Sequence, residues 1–273
     1  MATAKLAFIG AGNIAQALIG GLINDGIAAG NILAIDPSNE QLARLPGGVS
    51  RATAAAGELL DMDAIVICVK PGLVARVAAD LGAAVANKLI ISVAAGITTA
   101  TLAESIGGNP AIIRCMPNTP ALVGTGMTGL FASPGVTTTQ KQLAELVLGA
   151  VGEFIWFDRE ADLDAVTAVS GSGPAYFFLV MEVMQKAAES LGLAPETSQR
   201  LVLQTALGAA RMAMQGPESP AQLRRNVTSP GGTTEAAINS LLAAGIEQAF
   251  ADALHAAAER SRELAGTNLY NRD

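Results

Sequence analysis

The sequence predicts an α/β domain over residues 1–160 followed by an all-α domain over residues 161–273. Three observations carry this reading. Short apolar runs without polar alternation recur through the first half, separated by helical stretches, which is the pattern of parallel strands covered on both faces. A glycine-rich turn, Gly10-Ala11-Gly12-Asn13-Ile14-Ala15, joins the first run to the first helix. After about Leu163 the short runs stop, and helical stretches opened by Pro174, Pro195 and Pro220 take over.

The elements follow in order. Leu6–Ile9 reads as a strand and Ile14–Asp25 as a helix. Ile32–Ile35, Ala64–Val69, Leu89–Val93 and Ala111–Cys115 read as four further strands, and Glu153–Phe157 as an edge strand. Strands this short alternating with helices build βαβ units and a parallel sheet. The second half reads as helices over Ala175–Leu191, Pro195–Met214, Pro220–Asn226, Thr234–Leu242 and Ile246–Leu264. With no repeat and no low-complexity linker, the two domains are expected to abut.

Composition narrows the class. Hydrophobic residues make up 51% of the 273 residues, charged residues 15%, and the mean hydropathy is +0.40. An ordinary soluble domain carries about 25% charged residues. A disordered chain, rich in charge and poor in apolar residues, is excluded. Two readings remain: a membrane protein, or a protein that buries surface against a partner. A spanning helix needs roughly 20 apolar residues in a row. The candidate Leu89–Ala103 contains Gly96 and several Ser and Thr residues. The candidate Ala165–Met181 holds Ser170-Gly171-Ser172-Gly173-Pro174, read as a Gly/Ser loop opening a helix. Lys5 before an apolar stretch resembles a signal peptide, but that stretch holds Gly10, Gly12 and Asn13, which suit a turn. The expectation is a cytoplasmic homo-oligomer without a membrane partner.

Net charge is −7, and no basic cluster exceeds Arg224-Arg225, so no nucleic-acid partner is expected. Cys68 and Cys115 lie in apolar runs and read as buried thiols. His255 is the one histidine, which argues against a His-based triad and a His-ligated metal; no metal site is expected.

The Gly10–Ala15 run is the GxGxxA form of the Rossmann fingerprint, placed after a strand and before a helix as its mechanism requires. Gly10 allows the tight turn, and Gly12 lets the backbone approach a pyrophosphate at the positive helix end. Ala11, Asn13 and Ile14 complete that candidate cradle. Asp36 ends the second strand, where an acidic residue grips the adenosine ribose and favours NADH. Ser38, Asn39 and Arg44 follow and offer partners for a 2′-phosphate, so NADPH and NADH both stay open. The plainer role of Asp36 is to cap its own turn with Pro37. Val69, Lys70 and Pro71 close the third strand, Ala94-Ala95-Gly96 the fourth, and Met116–Pro120 the fifth. Ligands bind at such carboxyl ends. Small residues such as Ala95 admit a nicotinamide, and Asn118 or Thr119 is placed for its carboxamide. A simple tight turn explains Ala94–Gly96 nearly as well.

The second signal is Thr228-Ser229-Pro230-Gly231-Gly232-Thr233-Thr234-Glu235, a Pro-Gly-Gly turn running into a helix start. Its N–H groups form a candidate anion site for a carboxylate. An ordinary capped helix start would explain one Thr but not the whole run. Ser170–Pro174 is not GxSxG, and packing is its preferred reading.

Together FIGAGNIA (8–15), VKP (69–71), AAGI (94–97), RCMPNTPA (114–121), DAVTAVSGSGPAYFF (164–178) and TSPGGTTEAAI (228–238) resemble the pyrroline-5-carboxylate reductase family over essentially the full length. The resemblance implies reduction of 1-pyrroline-5-carboxylate to L-proline, the last step of proline biosynthesis, with NADPH or NADH. It implies a Rossmann-like dinucleotide-binding domain and an all-α dimerisation domain, giving homodimers that in relatives assemble into decamers. It places the substrate carboxylate on the Gly232, Thr233 and Thr234 backbone with Ser229 and Gly231 in the same substrate-binding loop, and the Thr234 side chain on the ring nitrogen as the catalytic residue. Glu160 aligns with the substrate site, and Asn226 with residues lining the cofactor. One departure is Ala55, where relatives often carry an Asn near the adenosine phosphate. A protonated cyclic imine is already electrophilic, so positioning and electrostatics suffice, in keeping with the scarcity of histidine. Rivals are a β-hydroxyacid dehydrogenase, disfavoured because the first Lys after Ser170–Gly173 is Lys186; a broader imine reductase; and a nicotinamide-binding regulator without turnover, which has no need of the TSPGGTT run.

Overall fold

The computed structural model describes residues 3–55, 57–85, 88–108 and 110–266; the outer ends of the two expected domains, 1–2 and 267–273, lie outside the described residues. The described chain forms two compact units. One holds the chain to Ser172 together with the stretch from Ala256 onward, and the other is Gly173–His255.

The first unit is built on one sheet of β1 (Leu6–Ile9), β2 (Ile32–Ile35), β3 (Ser50–Ala52), β4 (Ala64–Ile67), β5 (Leu89–Ser92), β6 (Ala111–Met116), β7 (Gly126–Ala132) and β8 (Gly152–Trp156). Their spatial order is β3-β2-β1-β4-β5-β6-β7-β8. The strands from β3 to β6 are parallel; β7 runs antiparallel to β6, and β8 parallel to β7. Phe8 stands opposite Ala34 on one side and Val66 on the other.

Both faces are covered, which is why the strands lack polar alternation. On one face Leu6, Phe8, Ala34, Val66, Ile91 and Ile113 share a core with Ala15, Leu18, Ile19 and Leu22 of α1 (Asn13–Asn24). On the other, Ile9, Ile35, Ile65, Ile67 and Ile90 pack with Val74 and Ala78 of α3 (Pro71–Leu81) and Leu102 of α4 (Thr99–Ile106). The short α2 (Asn39–Ala43) follows β2, and α5 (Thr138–Gly149) precedes β8. Fully burying one large aliphatic side chain contributes about 1.5–3 kcal/mol, so this two-sided burial dominates the unit's stability.

The expected strands occur in the expected order, with β4 ending two residues before Val69 and the expected edge strand lying at Gly152–Trp156. β3 and β7 are additions. β3 is three residues long, and two of them, Ser50 and Arg51, are polar. β7 reads poorly as a strand because of Gly126 and Gly129, yet Gly129 has a packing reason. A Cβ there would lie 2.8 Å from Val166 Cγ1 and 3.0 Å from Leu163 Cδ2, so its absence lets α6 (Asp162–Val166) lie directly on the strand.

That packing keeps the chain with the sheet beyond residue 160, so the compact units divide after Ser172. The second unit contains α7 (Gly173–Ser190), α8 (Pro195–Gln215), α9 (Pro220–Asn226), α10 (Thr233–Ala243) and the first part of α11 (Ile246–Gly266). From Ala256 on, α11 belongs to the first unit, where Ser261 is buried and Leu264 lies beside Gly96.

The Ser170–Pro174 stretch corrects one expectation. It is not a loop. A π-helical turn, Thr167–Gly171, links α6 to α7, and the Ser170 carbonyl, four residues before Pro174 and so without its N–H, accepts Asn118 Nδ2 at 3.1 Å instead. Among the described residues, Asp162–Ser190 is therefore one helical run long and apolar enough, by length and composition, to cross a membrane. In the single chain α7 and α8 bury only Gly173, Ser198 and Val202. Phe177, Phe178, Leu179, Val183 and Leu201 are exposed, Phe177 to 69%.

Candidate active site

The strand order reverses between β1 and β4, which opens a crevice at their carboxyl ends. Gly10 follows β1 with φ of +96°, and a Cβ on it would sit 2.8 Å from the Cys68 carbonyl oxygen beyond β4. The fold itself therefore demands glycine there. Gly12 is different: its backbone is ordinary, and a Cβ on it would meet nothing within 4 Å. No protein atom needs that space. Gly12 is also the N-cap of α1, with no side-chain cap and no acidic residue in the first turn. The uncapped N–H groups and the helix dipole leave a site for an anion, and the open side of Gly12 lets a pyrophosphate reach it. These residues fit a dinucleotide.

Asp36 braces this turn. Its Oδ2 accepts the Ala11 N–H at 2.8 Å, and its Oδ1 accepts the Ser38 N–H at 2.8 Å. One carboxylate thus holds the glycine-rich turn and its own turn together; each oxygen keeps acceptor capacity for a ribose hydroxyl. Ala11, expected in the cradle, spends its N–H on Asp36. Beside β3 a surface groove of about 530 Å³ is lined by Asn39, Arg51 and Thr53 among others. Arg51, which sequence reasoning missed, donates to the Leu45 carbonyl at 2.8 Å.

Val69, Lys70 and Pro71 stand at the start of α3, with Lys70 as its N-cap and Pro71 in the first helical position. Ala95 lies in the turn between β5 and α4. Asn118 is committed within the fold: its Oδ1 accepts the Met127 N–H at 2.9 Å, and its Nδ2 donates to the Ser170 carbonyl at 3.1 Å. It ties β7 and the π-turn to the carboxyl end of β6. Glu160 is committed as well. Its Oε1 accepts the Thr99 N–H at 2.7 Å and Arg114 Nη1 at 3.2 Å, and its Oε2 accepts the Thr99 hydroxyl at 2.8 Å. Arg114, buried to 4% exposure, was visible in the sequence as a lone charge in the apolar run AIIRC, but it drew no functional reading.

The Thr228–Glu235 run lies in the second unit. Gly232 is the N-cap of α10 and has no side-chain cap; Thr233 and Thr234 are the first two residues of the helix. Gly232 N–H bonds the Ser229 carbonyl at 3.0 Å, closing the turn. Gly231 N–H is taken by Glu235 Oε2 at 2.7 Å. Thr233, Thr234 and Glu235 thus present the first-turn amides of α10 at its N-terminal end, where the helix dipole favours an anion. Asn226 ends α9; its Nδ2 donates to Glu218 at 3.0 and 3.1 Å, and its Oδ1 accepts Gln222 Nε2 at 2.7 Å. The structure thus gathers Gly10–Ile14, Asp36, Val69–Pro71, Ala95, Asn118 and Glu160 in the first unit, and Asn226, Ser229 and Gly231–Thr234 in the second.

Two family models match the chain: pyrroline-5-carboxylate reductase dimerisation over residues 160–264, and NADP oxidoreductase, coenzyme F420-dependent, over residues 5–96. A pyrroline-5-carboxylate reductase of Pseudomonas aeruginosa is 50% identical over 268 residues, covering 97% of this chain and 98% of that one. Another from Haemophilus influenzae is 42% identical, covering 95% and 97%. Among solved structures, a pyrroline-5-carboxylate reductase from Coxiella burnetii superposes with a TM-score of 0.92 at 42% identity, covering 96% of this chain and 99% of that one. The Plasmodium falciparum pyrroline carboxylate reductase with NADP bound gives a TM-score of 0.86 at 31% identity, covering 97% and 99%.

Proposed function

The chain belongs to the pyrroline-5-carboxylate reductase family, and on that premise we propose how its residues divide the reduction of 1-pyrroline-5-carboxylate to L-proline with NADPH or NADH. The observation that carries the cofactor reading is the uncapped start of α1 with open space over Gly12. Gly10, Gly12, Asn13 and Ile14 hold the pyrophosphate, Asp36 and Ala11 shape that turn, and Asp36 faces the adenosine ribose. Val69, Lys70, Pro71, Ala95 and Asn118 form the wall at the carboxyl ends of β4, β5 and β6. When bound, the reduced nicotinamide supplies the hydride.

The substrate carboxylate sits on the Thr233 and Thr234 amides, where helix-end N–H groups and dipole favour an anion. Ser229, Gly231 and Gly232 shape that loop, and Asn226 closes the preceding helix. The protonated ring nitrogen donates to the Thr234 hydroxyl oxygen. That bond orients the ring and offsets positive charge, and the protein need supply no strong acid because the substrate arrives protonated. Orientation of this kind is worth several kcal/mol of the barrier.

The exposed apolar faces of α7 and α8 are covered by a second copy, in keeping with the dimerisation family matched at 160–264. The same pairing accounts for the apolar run 162–190 without a membrane. We place the enzyme in the cytoplasm, in keeping with its biosynthetic family.

Purified protein should oxidise NADPH or NADH only once pyrroline-5-carboxylate is added, and turnover with neither cofactor refutes the reading. Thr234→Ala should lose at least about tenfold in kcat/KM while cofactor binding stays intact. Unchanged kinetics would remove Thr234 from the site.

A further inference from the structure

We propose that Glu160 is a positioning residue for the loop at 93–98, acting through Thr99 and backed by Arg114, rather than a contact to the ring substrate. This rests on the reading that the loop, with Ala95 in it, walls the nicotinamide end of the crevice.

The loop leaves β5 at Ser92 and enters α4 at Thr99. Its upstream end is held by the sheet, since Val93 N–H reaches the Ile67 carbonyl at 3.2 Å. At its midpoint Gly96 lies against Leu264, which a Cβ would meet at 3.4 Å. Its downstream end is the start of α4, where orphan N–H groups need partners. Thr98 Oγ1 takes the Thr101 N–H at 3.1 Å. Glu160 takes the Thr99 N–H and hydroxyl together, at 2.7 and 2.8 Å, from 61 positions away in sequence.

Arg114 explains why the carboxylate holds one orientation. It lies on β6, in register with Ser92 of β5, and its guanidinium reaches Glu160 Oε1 at 3.2 Å from a nearly fully buried position. Three of roughly four acceptor positions on the carboxylate are then filled by the protein. A substrate carboxylate brought to Glu160 would meet a like charge, and a substrate cation would compete with Arg114. The carboxylate is instead spent on the loop: the sheet fixes Arg114, Arg114 fixes Glu160, and Glu160 fixes the helix start that ends the loop.

The test compares Glu160→Ala, Glu160→Gln and Thr99→Val by steady-state kinetics, by the fluorescence dissociation constant of NADPH and NADH, and by the primary isotope effect with cofactor deuterated at the transferred position. Glu160→Ala should lower kcat by about tenfold or more and raise the isotope effect, because a misplaced wall disturbs the hydride geometry. The cofactor dissociation constant and the KM for the imine should stay within about twofold. Glu160→Gln keeps an acceptor for the Thr99 N–H and should recover most of the rate. Thr99→Val should move kcat the same way by less, and the double variant should be no worse than Glu160→Ala. A raised KM with kcat preserved would make Glu160 a substrate contact and overturn the proposal. Additive losses, or an unchanged kcat, would overturn it too. If Glu160→Ala does not fold, Thr99→Val and Glu160→Gln carry the same test. A wild-type enzyme inert toward the imine would fell the site reading itself, whereas wild-type turnover with indifferent variants fells this inference alone.

Discussion

The Ser261 hydroxyl donates to the Asp164 carboxylate at 2.7 Å, joining two buried side chains 97 positions apart in the sequence. Through it the end of α11 is fastened to α6, and α6 in turn lies on β7 at Gly129. Ser261→Ala would leave a buried carboxylate short of a donor. The expected loss is about 1.5–3 kcal/mol in urea unfolding, the range for hydrogen bonds to charged groups. Wild-type stability would show that the bond contributes nothing net.

Gly10 and Gly12 should separate stability from binding. Gly10→Ala forces a Cβ at φ of +96° to within 2.8 Å of the Cys68 carbonyl, and the melting temperature should fall by several degrees. Gly12→Ala meets no protein atom, so the melting temperature should hold while the dissociation constant of NADPH or NADH rises about tenfold or more. Equal losses of stability in both variants would contradict the assignment of the space over Gly12 to a ligand.

Burial pushes the Cys68 thiol up to about 12 from an ordinary 9.0, and raises Cys115 as well. The unfolded chain therefore releases these protons from about pH 9 while the folded chain keeps them. The unfolded state binds fewer protons in that window, so stability is full below pH 9 and falls as the pH rises toward 12. Chemical denaturation at pH 8.5 and 10.5 should show a decline on the order of 1 kcal/mol per pH unit per thiol. Cys68→Ala should reduce that decline by about half, leaving the share of Cys115; an equal slope in the variant would show that the Cys68 thiol is not shielded.

The apolar faces of α7 and α8 predict assembly. Light scattering should give two copies of the chain or a multiple of two, and Phe177→Glu should shift the population toward monomer. A wild-type chain that stays monomeric at micromolar concentration would refute pairing through these helices.

Much of this was legible in the sequence because burial on both faces writes itself as uninterrupted apolar runs: Leu6–Ile9 and Ile32–Ile35 fall where those runs predict. β7 was hidden because its glycines answer to neighbours outside the strand, Gly129 to α6 and Gly126 to Ala121 and the Val151 carbonyl, which no local pattern encodes. The Ser170–Pro174 run misled for a related reason. Glycine, serine and proline favour loops, but a π-turn and a side chain from elsewhere, Asn118 on the Ser170 carbonyl, accommodate them within a helix. At the site, residue types and spacing marked Gly10, Gly12 and the Gly232–Thr234 turn. What spacing could not show was that Asp36, Asn118 and Glu160 spend their polar atoms inside the protein, because Ala11, Met127, Ser170 and Thr99 reach them only after folding.

The return of α11 to the sheet unit makes the helical unit an inserted cassette, moored at both ends in one host. A protease that nicks it once would leave both fragments attached to the same sheet, the second through Ser261 and Leu264. A pull on the carboxyl end of α11 would load the sheet unit before any tension reached α7 or α8. No single cut in the gene separates the cofactor-holding part from the helical part, so recombination that exchanges the cassette among relatives has to splice at two points.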